Sequence, residues 1–213
     1  MDKEKRRMLK LLDKISEKED KPITLPQKRP PTDPLVNKNW KKNPSYKVPK
    51  SAAKHDIVAI DCEMVSTNSD QNSLARVSIV DMDGNVLLDE YVKQSEPVNN
   101  YRTSITGIKA RHLKNAKSFN EIQKLVTDAL KNKLVIGHAI SHDLKALKIN
   151  LPANVVRDTQ KLYKLTEGVS TISLQKLALE KLGKAIQIGH HSSIEDARAT
   201  MEIYKTLFLS KKL

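Results

Sequence analysis

Eight residues, VAIDCEMV from Val58 to Val65, constrain the fold of this chain more than any other stretch. They begin with the apolar run of a central parallel strand and then carry two acids, Asp61 and Glu63. Because side chains alternate along a strand, both carboxylates project from one face and Cys62 projects from the other. Two neighbouring buried carboxylates cost free energy unless a cation compensates them. The stretch therefore predicts either a divalent metal site with oxygen ligands or a solvated pair of acids at a strand end.

The length and charge of the chain narrow the possibilities. Its 213 residues suffice for one sizeable core plus an appendage. The formal net charge of +13 favours a polyanionic partner such as nucleic acid, and a merely basic surface is the plain alternative. The single cysteine, Cys62, cannot form an internal disulfide, which indicates a reducing compartment such as the cytosol or nucleus. No apolar run approaches the roughly 18 residues of a membrane helix, so we expect no membrane partner.

Residues 1–52 differ in composition from the rest of the chain. They contain seven of the nine prolines, no glycine, and 15 Lys and Arg against 7 Asp and Glu, which supplies +8 of the net charge. Lys3 to Lys18 has the apolar spacing of a short amphipathic helix, whereas the later prolines exclude regular structure. We predict a flexible basic arm over 1–52 and a globular domain over 53–213. Trp40 and Tyr46 lie among lysines of the arm, a mixture that suits RNA binding or packing on the domain.

The globular part alternates strand-like and helix-like segments. We predict strands at Val58 to Val65, Leu74 to Val80, Val86 to Val92, Lys133 to Gly137 and Val155 to Val156. We predict helices at Ser118 to Leu130, Ser141 to Lys148, Thr171 to Leu182 and Ser192 to Leu209. Capping boxes with Glu121 and Glu195 open the first and last of these helices, and Lys93 to Lys117 is expected to be irregular. This order predicts an α/β domain with a mixed five-stranded sheet flanked by helices.

Two further acids and a histidine have settings that suit the same site. Asp143 lies in the first turn of the helix after a short apolar strand, and Asp196 lies in the first turn of the last helix, five residues after His191. An acid in a first helical turn is also an ordinary partner of the helix dipole. The sequence contains no phosphate-binding glycine loop and no Cys-x-x-Cys motif that would indicate another chemistry. The four acids and the histidine are therefore interpreted as one set.

Three motifs that contain this set resemble those of the DEDDh exonucleases of the ribonuclease H-like superfamily, and most closely the RNA exonuclease 4 branch. The motifs are VAIDCEMV at Val58 to Val65, VIGHAISHDLKAL at Val135 to Leu147, and HSSIEDARATMEIY at His191 to Tyr204. The resemblance implies a ribonuclease H-like sheet. Carried over position by position, it also implies His191 as general base and four metal ligands, Asp61, Glu63, Asp143 and Asp196.

The resemblance further implies a 3′-to-5′ exonuclease that hydrolyses phosphodiester bonds to 5′-mononucleotides. For this branch the expected substrate is single-stranded RNA, in particular ribosomal RNA precursors in pre-ribosomal particles, and the expected location is the nucleus or nucleolus. Two Mg²⁺ ions about 3.5–4 Å apart would serve such a reaction, and Mn²⁺ is expected to substitute. An imidazole titrates near neutral pH, so His191 suits the removal of a proton from water.

Three residues are further candidates for contact with the substrate. Met64 lies beside the acid pair, although a core position on the Cys62 face is the alternative. Gly107 lies in Thr103 to Ile108, which resembles a family loop at the 3′-terminal nucleotide. His138 belongs to the GHA of the second motif, where it serves substrate contact or positioning.

Two other functions remain open from the sequence. One is a DNA 3′-to-5′ exonuclease of the same fold, because none of these motifs identifies a contact to the 2′-hydroxyl group that distinguishes RNA from DNA. The other is a non-catalytic, RNA-binding factor in ribosome assembly, docked by its basic arm. Four clustered anions argue against a pure binding module, since they repel the phosphates that such a module binds.

Overall fold

The computed structural model describes residues 56–167 and 171–206. The arm predicted over 1–52 and the predicted helix end at Leu209 lie outside these residues. In chain order, the described part contains β1 (Ile57–Thr67), β2 (Ser73–Asp81), β3 (Val86–Lys93), β4 (Val98–Asn100), α1 (Thr103–Thr106), α2 (Ala110–Lys114), β5 (Lys117–Ser118), α3 (Phe119–Leu130), β6 (Leu134–Gly137), α4 (Ser141–Ala146), β7 (Val156–Asp158), α5 (Thr159–Glu167), α6 (Leu174–Leu182) and α7 (Ser193–Tyr204). A 3-10 turn, Ala153–Val155, precedes β7. None of the described helices is both long and apolar enough to span a bilayer.

The strands form one mixed sheet in the order β5-β3-β2-β1-β6-β7, with β4 paired to β1. Strand β1 lies at the centre, antiparallel to β2 and parallel to β6. Strand β3 continues the antiparallel side, and β7 continues the parallel side. These five strands confirm the predicted mixed five-stranded sheet. The two remaining strands, β4 and β5, have three and two residues and extend it.

Helices cover both faces of β1, and this burial explains its long apolar run. Val58 and Ile60 pack in one core with residues of α3 and α4, and Cys62 lies in that core. Ala59, from the alternate set, packs in a second core with Met201 of α7. A central strand buried on both faces needs apolar residues at nearly every position. The alternation therefore places Asp61 and Glu63 on the face that α7 covers.

The capping predictions had mixed outcomes. The box of Ser118 and Glu121 at the start of α3 is confirmed, with both of its hydrogen bonds present. The box predicted for α7 is wrong, because the side chain of Ser192 makes no capping bond. Glu195 instead accepts the backbone N–H of Gln187 at 3.1 Å, so a loop contact replaces the local one.

Three further expectations need correction. The stretch Lys93 to Lys117, expected to be irregular, contains β4 and two short helices, α1 and α2. The helix α5 was not predicted, and its first amides are bonded by the carboxylate of Asp158, which belongs to β7. Ser141 is not the cap of α4, since the N-cap position belongs to Ile140.

Candidate active site

Strand β1 and helix α7 bring three carboxylates together. One oxygen from each of Asp61, Glu63 and Asp196 lies within 4.8 Å of the other two. Oxygen ligands stand about 2.0–2.6 Å from Mg²⁺ or Ca²⁺, so ligands of one ion lie within about 5 Å of each other. Among residues 56–167 and 171–206, this is the one group of His, Cys, Asp and Glu with such spacing. The arrangement fits a shared divalent cation.

The surroundings of the three acids disfavour their ionised forms. Burial, and then the charge of Asp196, raises the pKa of Glu63 to about 8. Burial and the charges of neighbouring acids raise the pKa of Asp61 well above its usual value, and burial raises that of Asp196. Such shifts mean that three anions in this space repel one another and lose hydration. A cation bound between them would relieve both costs.

Two buried oxygen atoms identify where that cation fits. Glu63 Oε1 and Asp196 Oδ1 are buried, and within the described residues neither has a hydrogen-bond partner. A buried carboxylate oxygen without a partner is costly, and native proteins rarely leave one without an ion or water. An all-oxygen ligand set is also the set that hard cations such as Mg²⁺ prefer. The residues present therefore fit a divalent metal site.

The raised pKa of Glu63 predicts how stability depends on pH without metal. Because the folded state binds a proton that the unfolded state releases above pH 4.5, the free energy of unfolding falls as pH rises from about 4.5 to about 8. For Glu63 alone the loss at pH 7 is about 3 kcal/mol. The raised pKa values of Asp61, Asp143 and Asp196 contribute a slope of the same sign, so we expect Glu63→Gln to make the slope shallower by the contribution of Glu63. Thermal melts of both proteins in EDTA from pH 5 to 8 test this, and parallel curves would contradict it.

Asp143 flanks the cluster without belonging to it. It lies buried in the first turn of α4, and its carboxyl group lies beside Cys62 of β1. Burial raises the pKa of Asp143 to about 7, and its charge in turn raises the pKa of Asp61. Three of the four predicted ligands thus stand at ligand spacing, and the fourth stands within electrostatic reach.

The turn before α4 explains the GHA of the second motif. A Cβ atom on Gly137 would lie 2.6 Å from Cβ of Ile140, so only glycine fits there. Ala139 has a left-handed backbone with φ of 55°, and its N–H donates to Asp158 Oδ1 at 2.9 Å. Its neighbour His138 has Nδ1 3.0 Å from Thr159 Oγ1 and Nε2 3.0 Å from a backbone carbonyl oxygen. Both ring nitrogens are engaged by the protein, which favours the positioning alternative for His138.

His191 lies at the edge of the acid cluster. Its Nδ1 is 3.9 Å from Asp196 Oδ2, and its side chain is 34% exposed. Its backbone N–H donates to the carbonyl oxygen of Ile105 at 2.6 Å, which joins its loop to α1. A partly exposed imidazole beside the metal ligands suits a base that must reach a water molecule.

Sequence reasoning missed Gln187. Its Nε2 donates to Asp196 Oδ2 at 2.9 Å, so it fixes the carboxylate that also faces His191. Its backbone is left-handed, with φ of 59°, in the loop before the third motif. A glutamine in a polar loop gives no local signal of such a contact.

The two remaining candidates for substrate contact have different surroundings. Gly107 ends α1 with φ of 66°, and a Cβ atom there would lie 3.3 Å from Cβ of His190. Its loop therefore borders the loop that carries His191. Met64 is partly buried and packs against the core that contains Cys62. That position agrees with the core alternative for Met64.

Comparison with known families decides the class of this site. The RNase_T family model, described as "Exonuclease", matches residues 58–204. The chain belongs to this exonuclease family. The matched range contains all four acids and His191.

Curated relatives of this chain include "RNA exonuclease 4" from two yeasts. The Saccharomyces cerevisiae protein is 46% identical over 153 residues, which are 70% of this chain and 53% of the relative. The Candida glabrata protein is 47% identical over 155 residues, which are 70% of this chain and 59% of the relative. The chain thus spans about half the length of the curated relatives it matches.

Solved structures confirm the fold of this chain. The Neurospora crassa Pan2 catalytic unit has a TM-score of 0.67 and 26% identity, and the match covers 76% of this chain and 29% of that one. The Saccharomyces cerevisiae Pan2 pseudoubiquitin hydrolase-RNA exonuclease module in complex with A7 RNA also has a TM-score of 0.67, with 31% identity and coverage of 76% and 30%. The predicted ribonuclease H-like α/β fold is therefore confirmed.

Proposed function

We propose that this chain is a metal-dependent 3′-to-5′ exoribonuclease that hydrolyses single-stranded RNA to 5′-mononucleotides. The observation that carries the proposal is the cluster of Asp61, Glu63 and Asp196, with two buried carboxylate oxygens that have no partner in the described part of the chain. Such a cluster is costly without metal, and divalent metals are the usual means of phosphodiester hydrolysis.

The residues divide the reaction between them. The three clustered acids, with Asp143 beside them, would hold two divalent ions, which we propose are Mg²⁺ with Mn²⁺ able to substitute. Bound there, the ions supply a water of lowered pKa and neutralise charge on the phosphoryl group. His191 faces Asp196 through Nδ1, so Nε2 is left to accept the proton of the attacking water. The Asp196 carboxylate stabilises the imidazolium that results.

RNA is the proposed substrate because the relatives are named RNA exonuclease 4 and Pan2 has been solved with RNA. We propose more narrowly that the chain trims ribosomal RNA precursors in pre-ribosomal particles, in the nucleus and mainly in the nucleolus. The resemblance to the RNA exonuclease 4 branch and the net charge of +13 support this narrower part.

Matched single strands of RNA and DNA, labelled at the 5′ end, test the substrate class. We expect faster shortening of RNA, and a preference for DNA would contradict the proposal. In cells, loss of the protein should lengthen ribosomal RNA ends, and an Asp61→Ala variant should fail to restore them. Full rescue by that variant would instead favour a non-catalytic assembly factor.

A further inference from the structure

A basic segment borders the active site and is not used by the chemistry proposed above. Lys109, Arg111 and Lys114 lie on and just before the short helix α2, and all three are exposed. We call these three residues the basic rim. None of them has an ion-pair partner among the residues that the structure describes. The neighbouring Lys117, by contrast, is paired with Glu90.

The loop that carries His191 gives a first connection between the rim and the active site. The His191 backbone bonds to Ile105 of α1, and Gly107 packs against His190. Lys109 follows Gly107 by two residues. The rim therefore begins beside the loop that carries the proposed base.

The sheet gives a second, independent connection. Glu63 of β1 lies opposite Arg76 of β2, and Arg76 lies opposite Tyr91 of β3. Residues directly opposite in antiparallel strands project from the same face. The Arg76 guanidinium lies 5.2 Å from the centre of the Tyr91 ring, and that ring lies 5.2 Å from the ring of His112 in α2. A row of side chains thus leads from the metal ligands to α2.

The cation within this row is neutralised by an acid, whereas the cations of the basic rim are not, so the rim is the part available to bind an anion. Arg76 forms a bidentate ion pair with Asp89, so its charge is compensated. The rim's charges have no such compensation. Desolvation, and then the charges of Arg111 and Lys109, lower the pKa of His112, as expected where cations concentrate beside a ring. Uncompensated cations beside partly exposed rings are typical of surfaces that bind single-stranded nucleic acid.

We propose that the basic rim binds backbone phosphates of the RNA strand outside the nucleotide being cleaved. This inference rests on the proposed function and adds to it the surface that holds longer substrates. The three acids of the active site repel phosphates, so cations bordering the site offset that repulsion where the strand passes. The rim raises the affinity for RNA, and raises it more for long strands than for short ones. The acids serve cleavage.

A charge-matched pair of variants tests the rim. The rim variant, Lys109→Ala with Arg111→Ala, removes two cations of the rim. The control variant, Lys124→Ala with Lys131→Ala, removes two exposed cations at α3. Helix α3 packs on the face of β1 that contains Cys62, opposite the acids. Binding of single-stranded RNAs of about 4 and about 20 nucleotides would be measured with the full chain in EDTA, over a series of salt concentrations.

We expect the rim variant to bind the longer RNA about tenfold more weakly, with a salt slope lower by about 1.4, while the α3 variant stays within about twofold of the unmodified protein. Cleavage of the short RNA should be nearly unchanged in both. Equally weakened RNA binding in the two variants, or unchanged RNA binding in both, would overturn the proposal that the rim binds RNA. If the unmodified protein cuts no RNA but the rim variant still binds the longer RNA more weakly than the α3 variant does, the proposed function is overturned and RNA binding by the rim is supported.

Discussion

Replacing Glu63 with glutamine is expected to abolish most RNA cleavage and at the same time to stabilise the metal-free protein. Metal ligands contribute several kcal/mol to the transition state, so cleavage should fall by about a thousandfold or more. The metal-free protein should gain stability at pH 7 to 8, because burial and Asp196 oppose the charge of Glu63. Cleavage rates with Mg²⁺ and thermal melts in EDTA measure the two effects.

The opposite signs of these effects separate a metal ligand from a structural acid. Loss of a structural ion pair lowers both activity and stability, whereas loss of one of several repelling ligands lowers activity alone. Asp128→Asn, at an exposed acid of α3, is the matched control and should change neither quantity. A Glu63→Gln protein that is less stable in EDTA at pH 8 would contradict the metal site, as would one that cleaves at the original rate.

His191→Ala is expected to have the second largest effect, a fall in kcat of about 10²–10⁴-fold. His191 contacts the ligand set only at 3.9 Å from Asp196, and Gln187 also holds that carboxylate. Binding of Mg²⁺ and of RNA should therefore remain close to that of the unmodified protein. The rate of the remaining cleavage should no longer depend on protonation of the side chain at position 191.

Rapid-quench cleavage over a series of Mg²⁺ concentrations measures kcat and the affinity for the metal, and an RNA titration in EDTA measures RNA binding. His142→Ala is a suitable control, because His142 is an exposed histidine of α4. If His191→Ala leaves kcat unchanged, another group must accept the proton. If metal affinity falls together with kcat, His191 contributes to the ligand set.

The features that sequence predicted correctly depend on local geometry. Alternation along β1 alone places Asp61 and Glu63 on one face, and the structure confirms the separation by placing Cys62 in the opposite core. The capping box of Ser118 and Glu121 is likewise formed within four residues. Such features need no knowledge of the tertiary fold.

The features that sequence missed depend on contacts between distant segments. Glu195 bonds to Gln187 and not to its own helix start, since the loop before α7 brings that amide within reach. Helix α5 has its first amides bonded by an acid that belongs to a strand, Asp158. No local pattern could show that Asp143 would face Cys62 and stand beside the metal cluster. Packing of the sheet against α4 and α7 decides that arrangement.

The same packing explains why the site is costly without metal. Ser78, opposite Asp61 on β2, lies 2.7 Å from the buried hydroxyl of Ser193 in α7. It also donates to Asp89, which pairs with Arg76 opposite Glu63. This network fixes the start of α7 against the sheet, three residues before Asp196. The carboxylates are thereby held close together before any ion binds, which is the preorganisation that metal-assisted catalysis requires.

The most direct measurement is cleavage of a single-stranded RNA labelled at its 5′ end, with Mg²⁺ and with EDTA, by the unmodified protein and by Asp143→Asn. Asp143 is the informative position, because it stands beside the three clustered acids and not among them. We expect a ladder that shortens from the 3′ end with Mg²⁺, and no ladder in EDTA or with Asp143→Asn. An RNA that is bound but left intact by the unmodified protein would contradict the exonuclease, and an unchanged ladder with Asp143→Asn would remove the fourth acid from the site.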